Sequence, residues 1–340
     1  MPHHLKLLQS SRETLYYYTF SNPNPDWMDE LMRKLLCLIA LISCVTTLDL
    51  AAQTRTPAPA QQPRTSVARN PYLGAVAIDA DTGKTLFEDK ADIPGYPAST
   101  LKLMTLLVIQ EKIDAGAVKL TDLVSVSAKA SKTGGSQVWL DTREKIRLED
   151  LLYALMIRSA NDAAVALAEH VSGSTEAFVA LMNARAAKLG MENTRFATPH
   201  GLPPSAGQKH DISTARDLAI LCREMCKHPA IFPYTATAFR QFRAPAEEAA
   251  DGPDAQRPIY VPNATPIDML THNPFLKPPH KIEGCDGFKT GYTASAGYSI
   301  AVTCKRNNRR VIVVVLGSEN RLTRDAKAKE ILDRAWTALD

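Results

Sequence analysis

Pro97-Ala98-Ser99-Thr100-Leu101-Lys102 runs directly into Leu103-Met104-Thr105-Leu106-Leu107-Val108-Ile109, and this stretch decides the fold. Its apolar residues cover every side of a helix expected over 101–113 and ended by Gly116, so the helix is buried all round. Such a helix needs layers on both sides. Upstream, 72–80 and 84–89 read as strands joined by the turn Asp81-Thr82-Gly83. Downstream, helices are expected over 148–158, 162–171, 175–189 and 214–227. Strands are expected over 238–242, 258–261, 287–290, 296–304 and 310–316, and a last helix from about 324 to 339. Strands at both ends around central helices make one α/β (α+β) body over 71–340, with no second core.

The composition narrows the class. In 340 residues, 45% are hydrophobic and 22% charged, an ordinary globular balance. Forty basic residues against 36 acidic ones give a net charge of +4 with no basic stripe, so no nucleic-acid footprint is expected. No run reaches the roughly 20 clean apolar residues of a standard membrane span, which excludes a polytopic membrane protein. The front of the chain reads as targeting rather than fold. Met32-Arg33-Lys34 precedes an apolar stretch to Val45 and small residues through Ala52, the pattern of a secretory signal. Residues 1–52 are therefore expected to be an extension plus signal, with translation beginning at Met32. Residues 53–70 are expected to be a Pro-rich linker. Leu41-Ile42-Ser43-Cys44 resembles a lipobox, which would make Cys44 an acylation site.

Three short constellations carry chemistry. Ser99 and Lys102 are three apart at a helix start and so share a face. A serine hydroxyl needs a base to become a nucleophile, and a lysine becomes one when desolvation keeps its amine neutral. Ser159-Ala160-Asn161 follows about 60 residues on. Alone it reads equally as a helix N-cap supported by Asp162; in a site, a hydroxyl relays protons and an amide grips a peptide carbonyl. Lys289-Thr290-Gly291 lies in a strand-like run, where a cation, a hydroxyl and a close-approach glycine suit an extended ligand ending in a carboxylate. Lys132-Thr133-Gly134 and Ser318-Glu319-Asn320 repeat two of these patterns in polar loops and read as decoys.

In this order and spacing the motifs resemble the penicillin-recognising serine acyltransferases, a motif set known from β-lactamases and penicillin-binding proteins. Longer strings narrow the resemblance: Ser159-Ala160-Asn161-Asp162-Ala163-Ala164, Asp286-Gly287-Phe288-Lys289-Thr290-Gly291-Tyr292-Thr293 and Pro199-His200-Gly201-Leu202. They look like the low-molecular-weight D-alanyl-D-alanine carboxypeptidases over about 70–340. The resemblance implies a β-lactamase/transpeptidase-like fold, a five-stranded antiparallel sheet flanked by helices with an all-helical subdomain. It implies Ser99 as nucleophile, Lys102 as base, Ser159 as proton relay and Asn161 as a grip on the substrate backbone. Lys289, Thr290, Gly291 and Tyr292 would bind substrate, with the N–H groups of Ser99 and Tyr292 as the oxyanion hole. The implied partners are peptidoglycan stem peptides, with β-lactams as covalent inhibitors. No cofactor or metal is implied. The chain stops at Asp340 where many such enzymes continue into a β-rich domain and a membrane-binding helix. Attachment is therefore expected only through the N-terminus, with location in the periplasm or envelope. Rival readings are a DD-endopeptidase, a class A-like β-lactamase and a silent peptidoglycan-binding module. The missing E-x-x-x-N between Asn161 and Lys289 counts against the β-lactamase, and the intact motifs count against the silent module.

Four cysteines fall outside the signal. Cys222 and Cys226, near His228, read as helix core rather than as a metal site. Pairing Tyr292 with Gly297 across a hairpin would set Cys285 opposite Cys304, within reach of a disulfide.

Overall fold

Residues 311–316, Val-Ile-Val-Val-Val-Leu, are all fully buried, which only a strand covered on both faces allows. They belong to β9 (Arg309–Ser318) in a computed structural model that describes residues 66–243, 258–262 and 264–339. β9 is the centre of a five-stranded antiparallel sheet with β1 (Gly74–Asp79), β2 (Thr85–Asp89), β7 (Cys285–Thr293) and β8 (Gly297–Arg306). The order is β2-β1-β9-β8-β7, so β7 is an edge strand. Two short ribbons pair β3 (Leu123–Ser125) with β4 (Lys145–Arg147) and β5 (Phe239–Phe242) with β6 (Ile267–Leu270).

The helices in chain order are α1 (Lys102–Asp114), α2 (Ala128–Ser131), α3 (Leu148–Tyr153), α4 (Asn161–Ser172), α5 (Thr175–Leu189), α6 (Ala215–Met225), α7 (Phe232–Ala236) and α8 (Arg321–Thr337). Side-chain alternation divides the core at the sheet. Val76, Ile78, Ile312 and Val314 face the cluster built with α1, α4 and α6. Ala75, Ala77, Val313 and Val315 face the second cluster, closed by Ala328, Ile331, Leu332 and Ala335 of α8. α1 lies between the sheet and the helical layer. That position is why its leucines and valine need no polar stripe.

Differences from expectation have local causes. Residues 258–261 form no strand; Ile259 makes a single bridge to Lys145, and β5 instead pairs with β6. The expected helix over 148–158 is α-helical only to Tyr153 and continues as a π-helical turn, Ala154–Arg158. Residues 66–70, expected as the end of the linker, bond to the body: Val67 N–H donates to the Ser295 carbonyl and Arg69 N–H to that of Gly317, both 2.9 Å. Residues 1–65, which hold the expected signal and most of the linker, lie outside the described residues.

The β7–β8 register is one residue from expectation: Tyr292 faces Tyr298, and Thr293 faces Gly297. A β-bulge between Cys285 and Gly287 restores the other offset, so Cys285 does face Cys304, and a disulfide joins them. The extra residue, Asp286, turns out onto Arg310 in two 2.7 Å contacts. Cys222 is buried and Cys226 half-buried, as core packing requires. The potential cation ligands near them, Glu111, Glu224 and His228, are different residues, and Arg185 already pairs with both glutamates at 2.7 Å.

Candidate active site

A 3-10 turn, Ala98–Leu101, leads into α1 and carries the Ser99 hydroxyl half-exposed above the buried helix. One turn on, Lys102 is fully buried. Its Nζ lies 2.9 Å from Ser99 Oγ, 2.7 Å from Asn161 Oδ1 and 2.7 Å from the His200 carbonyl. Two of these partners are acceptors only. A neutral amine has two N–H bonds and one lone pair, so both hydrogens go to Asn161 and His200 while the lone pair faces the serine O–H. Burial pushes the Lys102 amine well below its ordinary value, and the charge of Lys289 lowers it further against the pull of Asp162 and Asp211. Geometry and electrostatics therefore agree on a base aimed at Ser99.

The two acceptors are themselves held. Asn161 begins α4, and its Nδ2 donates to the Gly134 carbonyl at 2.8 Å, fixing which amide atom meets Lys102. Lys132-Thr133-Gly134, a decoy as a carboxylate binder, thus serves the site through its backbone. His200 is positioned by a relay: buried Asp211 accepts from the Thr198 hydroxyl at 2.8 Å, and that hydroxyl accepts from Gly201 N–H at 2.8 Å. Gly201 has φ +83°, and a Cβ there would collide with the Ala98 carbonyl. His200 was missed as a site residue because its contribution is a main-chain carbonyl, for which residue type carries no signal; Pro199-His200-Gly201 was the available hint.

Ser159 departs from the N-cap reading. It sits in the left-handed region, φ 61°, just after the π-helical turn, and the N-cap of α4 is Ala160. Asp162, expected as support for that cap, is fully buried and instead accepts from the amides of Val138 and Leu140. The Ser159 hydroxyl is buried with no hydrogen-bond partner among the described residues, yet it lines the cleft. A strained residue with an unpaired polar group at a cleft marks a place where a ligand completes the bonding.

The opposite wall is edge strand β7. A Cβ on Gly291 would lie 2.8 Å from the Pro97 carbonyl and 3.0 Å from Ser99 N, so only glycine brings the strand this close to the serine turn. Lys289 is buried, and among the described residues its Nζ donates only to the Thr290 carbonyl, 2.9 Å away. Burial and then Arg324 lower its amine to about 7. Thr290, Gly291 and the exposed Tyr292 line the cleft, whose volume is about 430 Å³. Arg324, not anticipated, is a buried guanidinium at the start of α8 that reaches the same cleft. The fold thus brings the eight sequence-selected residues together: Lys102 with Ser99 and Asn161, Ser159 on the same cleft as Ser99, and four consecutive residues on β7.

An antiparallel five-stranded sheet whose edge strand faces a serine–lysine helix start is the arrangement of the penicillin-recognising serine enzymes. The Peptidase S11 family, described as D-alanyl-D-alanine carboxypeptidase, matches residues 62–320, and the chain belongs to that family. D-alanyl-D-alanine carboxypeptidase DacF of Bacillus subtilis is 35% identical over 274 residues, covering 81% of this chain and 64% of that protein. The chain therefore spans a little under two thirds of that relative's length. Among solved structures, D-alanyl-D-alanine carboxypeptidase DacD from Francisella tularensis superposes with a TM-score of 0.69 at 27% identity, covering 78% of this chain and 70% of the other. Penicillin-binding protein D2 from Listeria monocytogenes, in its ampicillin-bound form, gives 0.65 at 25% identity, covering 78% and 97%.

Proposed function

We propose that the protein is a serine D-alanyl-D-alanine carboxypeptidase that trims peptidoglycan stem pentapeptides through a Ser99 acyl-enzyme. The observation that carries this reading is Lys102: buried, with two acceptor-only partners, and 2.9 Å from Ser99 Oγ. Ser99 Oγ attacks the carbonyl between the terminal D-alanines while its proton passes to Lys102 Nζ. The oxyanion is met by the N–H groups of Ser99 and Tyr292. As the C–N bond breaks, the proton moves from Lys102 through the Ser159 hydroxyl to the departing amine. Lys289 and Thr290 hold the terminal carboxylate, and the remaining Nδ2 hydrogen of Asn161 holds the stem-peptide backbone. Water then hydrolyses the ester. A β-lactam enters the same route and leaves Ser99 acylated.

This reading goes with an envelope location, reached through the signal expected in residues 1–52, with Cys44 as the anchor. No helix among the described residues is long and apolar enough to cross a membrane. The test is intact mass after benzylpenicillin, with Ser99→Ala as control, beside release of D-alanine from an N-acyl-D-Ala-D-Ala peptide. A Ser99-dependent adduct with release is expected. An adduct without release moves the reading to a DD-endopeptidase, and the absence of both adduct and release overturns Ser99 as the nucleophile.

A further inference from the structure

A separate cavity of about 460 Å³ opens between α5, α6 and the β1–β2 turn, and it shares no lining residue with the Ser99 cleft. Its volume falls in the range of roughly 300–1,000 Å³ that small-molecule sites occupy. Five cations line it: Arg185 and Lys188 of α5, Arg216 and Arg223 of α6, and Lys227 just beyond. Glu224 is the one carboxylate among the described lining residues.

The three arginines are held alike. Arg185 donates through Nε and Nη2 to Glu111 and Glu224, both at 2.7 Å. Arg216 donates through Nε and Nη2 to Asp92 and Glu88, again at 2.7 Å. Arg223 donates through the same two nitrogens to the carbonyls of Ala80 and Asp81, at 3.0 and 2.9 Å. Each guanidinium is thus fixed along one edge, and its Nη1, with two N–H donors, has no hydrogen-bond partner among the described residues. A Cβ at position 83 would lie 2.8 Å from Arg223 Nη1, so Gly83 leaves that donor uncovered.

Surface ion pairing accounts for part of this. Carboxylates neutralise Arg185 and Arg216, and Lys227 pairs with Glu224 at 2.6 Å. It does not account for Arg223, whose bracing groups are neutral carbonyls, or for Lys188, which is exposed with no ion pair among the described residues. Arg223 is positioned without being neutralised. Like charges gathered around one cavity favour an anion, and planar guanidinium forks with donors in reserve match the several oxygens of a phosphate.

We infer that this cavity binds a phosphate-bearing ligand, through a terminal phosphate or diphosphate, with Arg223 as its fixed anchor and Lys188 as a second, flexible cation. The site is independent of the Ser99 reaction and of the substrate assigned to it.

Calorimetric titration of the full chain with inorganic pyrophosphate is expected to show a single saturable site that weakens as ionic strength rises. Citrate, a multivalent anion without phosphate, should bind about tenfold more weakly. Arg223→Ala should weaken pyrophosphate about tenfold, and Lys188→Ala about threefold. Arg223 also braces the β1–β2 turn, so the Tm of each variant is recorded; if Arg223→Ala does not fold, Lys188→Ala decides alone. No saturable pyrophosphate binding, citrate binding as tight as pyrophosphate, or an affinity that neither substitution lowers overturns the site. Co-sedimentation with phosphatidylcholine vesicles, with and without phosphatidic acid, then distinguishes the source of the phosphate. Retention on the phosphatidic acid vesicles that pyrophosphate competes away assigns a lipid headgroup. Retention that it does not compete away, or no retention, assigns a dissolved phosphorylated compound.

Discussion

Lys102 and Lys289 are both buried lysines, one behind the Ser99 turn and one on β7, and their surroundings differ in kind. Lys102 is saturated, with partners from its own turn, from α4 and from the 198–201 loop. Lys289 has one hydrogen-bond partner among the described residues, the carbonyl of the next residue. A base has to be neutral and aimed, so every hydrogen is assigned and only the lone pair is left toward the serine. A carboxylate receptor has to keep donors and charge in reserve for its ligand. Both amines are depressed by burial, yet the hydrogen-bond inventory, not the pKa, distinguishes the two tasks.

The largest effect expected concerns this distinction. Lys102→Ala should slow acylation by benzylpenicillin about 10²–10⁴-fold, read by quenched-flow mass spectrometry. A loss below tenfold would break the comparison and make Lys289, whose amine burial also depresses, the candidate base. Next, Lys289→Ala should lower kcat/KM for the dipeptide-ended substrate about 10–100-fold, mainly through KM, by removing a charge-assisted contact.

The pH profile sharpens the same contrast. Acylation rises with pH as Lys102 loses its proton, because only the neutral amine is a base. Above about 7 free Lys289 loses its charge, so kcat/KM for a carboxylate-ended substrate falls by up to tenfold per pH unit. A bound carboxylate favours the ammonium form, so the alkaline limb in kcat should lie higher than in kcat/KM. Coincident limbs would argue against Lys289 as the carboxylate's partner. The smallest effect is on stability. Ser159→Gly relieves the positive φ and removes the unpaired hydroxyl, and should raise stability by about 1 kcal/mol, or Tm by about 2–4 °C, while slowing turnover. A fall in Tm would show that the hydroxyl is paired within the folded protein.

Much of the fold was legible because its large pieces bury continuous apolar runs. Residues 311–316 and the helix after Ser99 have no solvent side and read unambiguously, and 175–189 has its expected bounds in α5. β3 and β4, three residues each, are too short to show a period, and β6 was displaced in expectation by the apolar residues near Ile259. The hairpin register was missed by one residue at the turn, and the bulge that returns Cys285 to Cys304 at the far end was not legible because tertiary partners choose it: Asp286 leaves the ladder to pair with Arg310.

The sequence by itself singled out Ser99, the lysine three residues on, the asparagine and the β7 motif as candidates, because each depends on residue type at short spacing. Only the tertiary structure decided what those residues are in contact with. Lys102 meets Asn161 and His200 across 59 and 98 positions of chain, and Gly134 matters through a carbonyl that any residue possesses. Ser159 changes from an apparent cap to an unpaired hydroxyl in the cleft because a π-helical turn redirects the backbone before it. Side-chain identity is local information, whereas desolvation and hydrogen-bond saturation are properties of the packed surroundings, and these decide which lysine is neutral and which retains donors for a ligand.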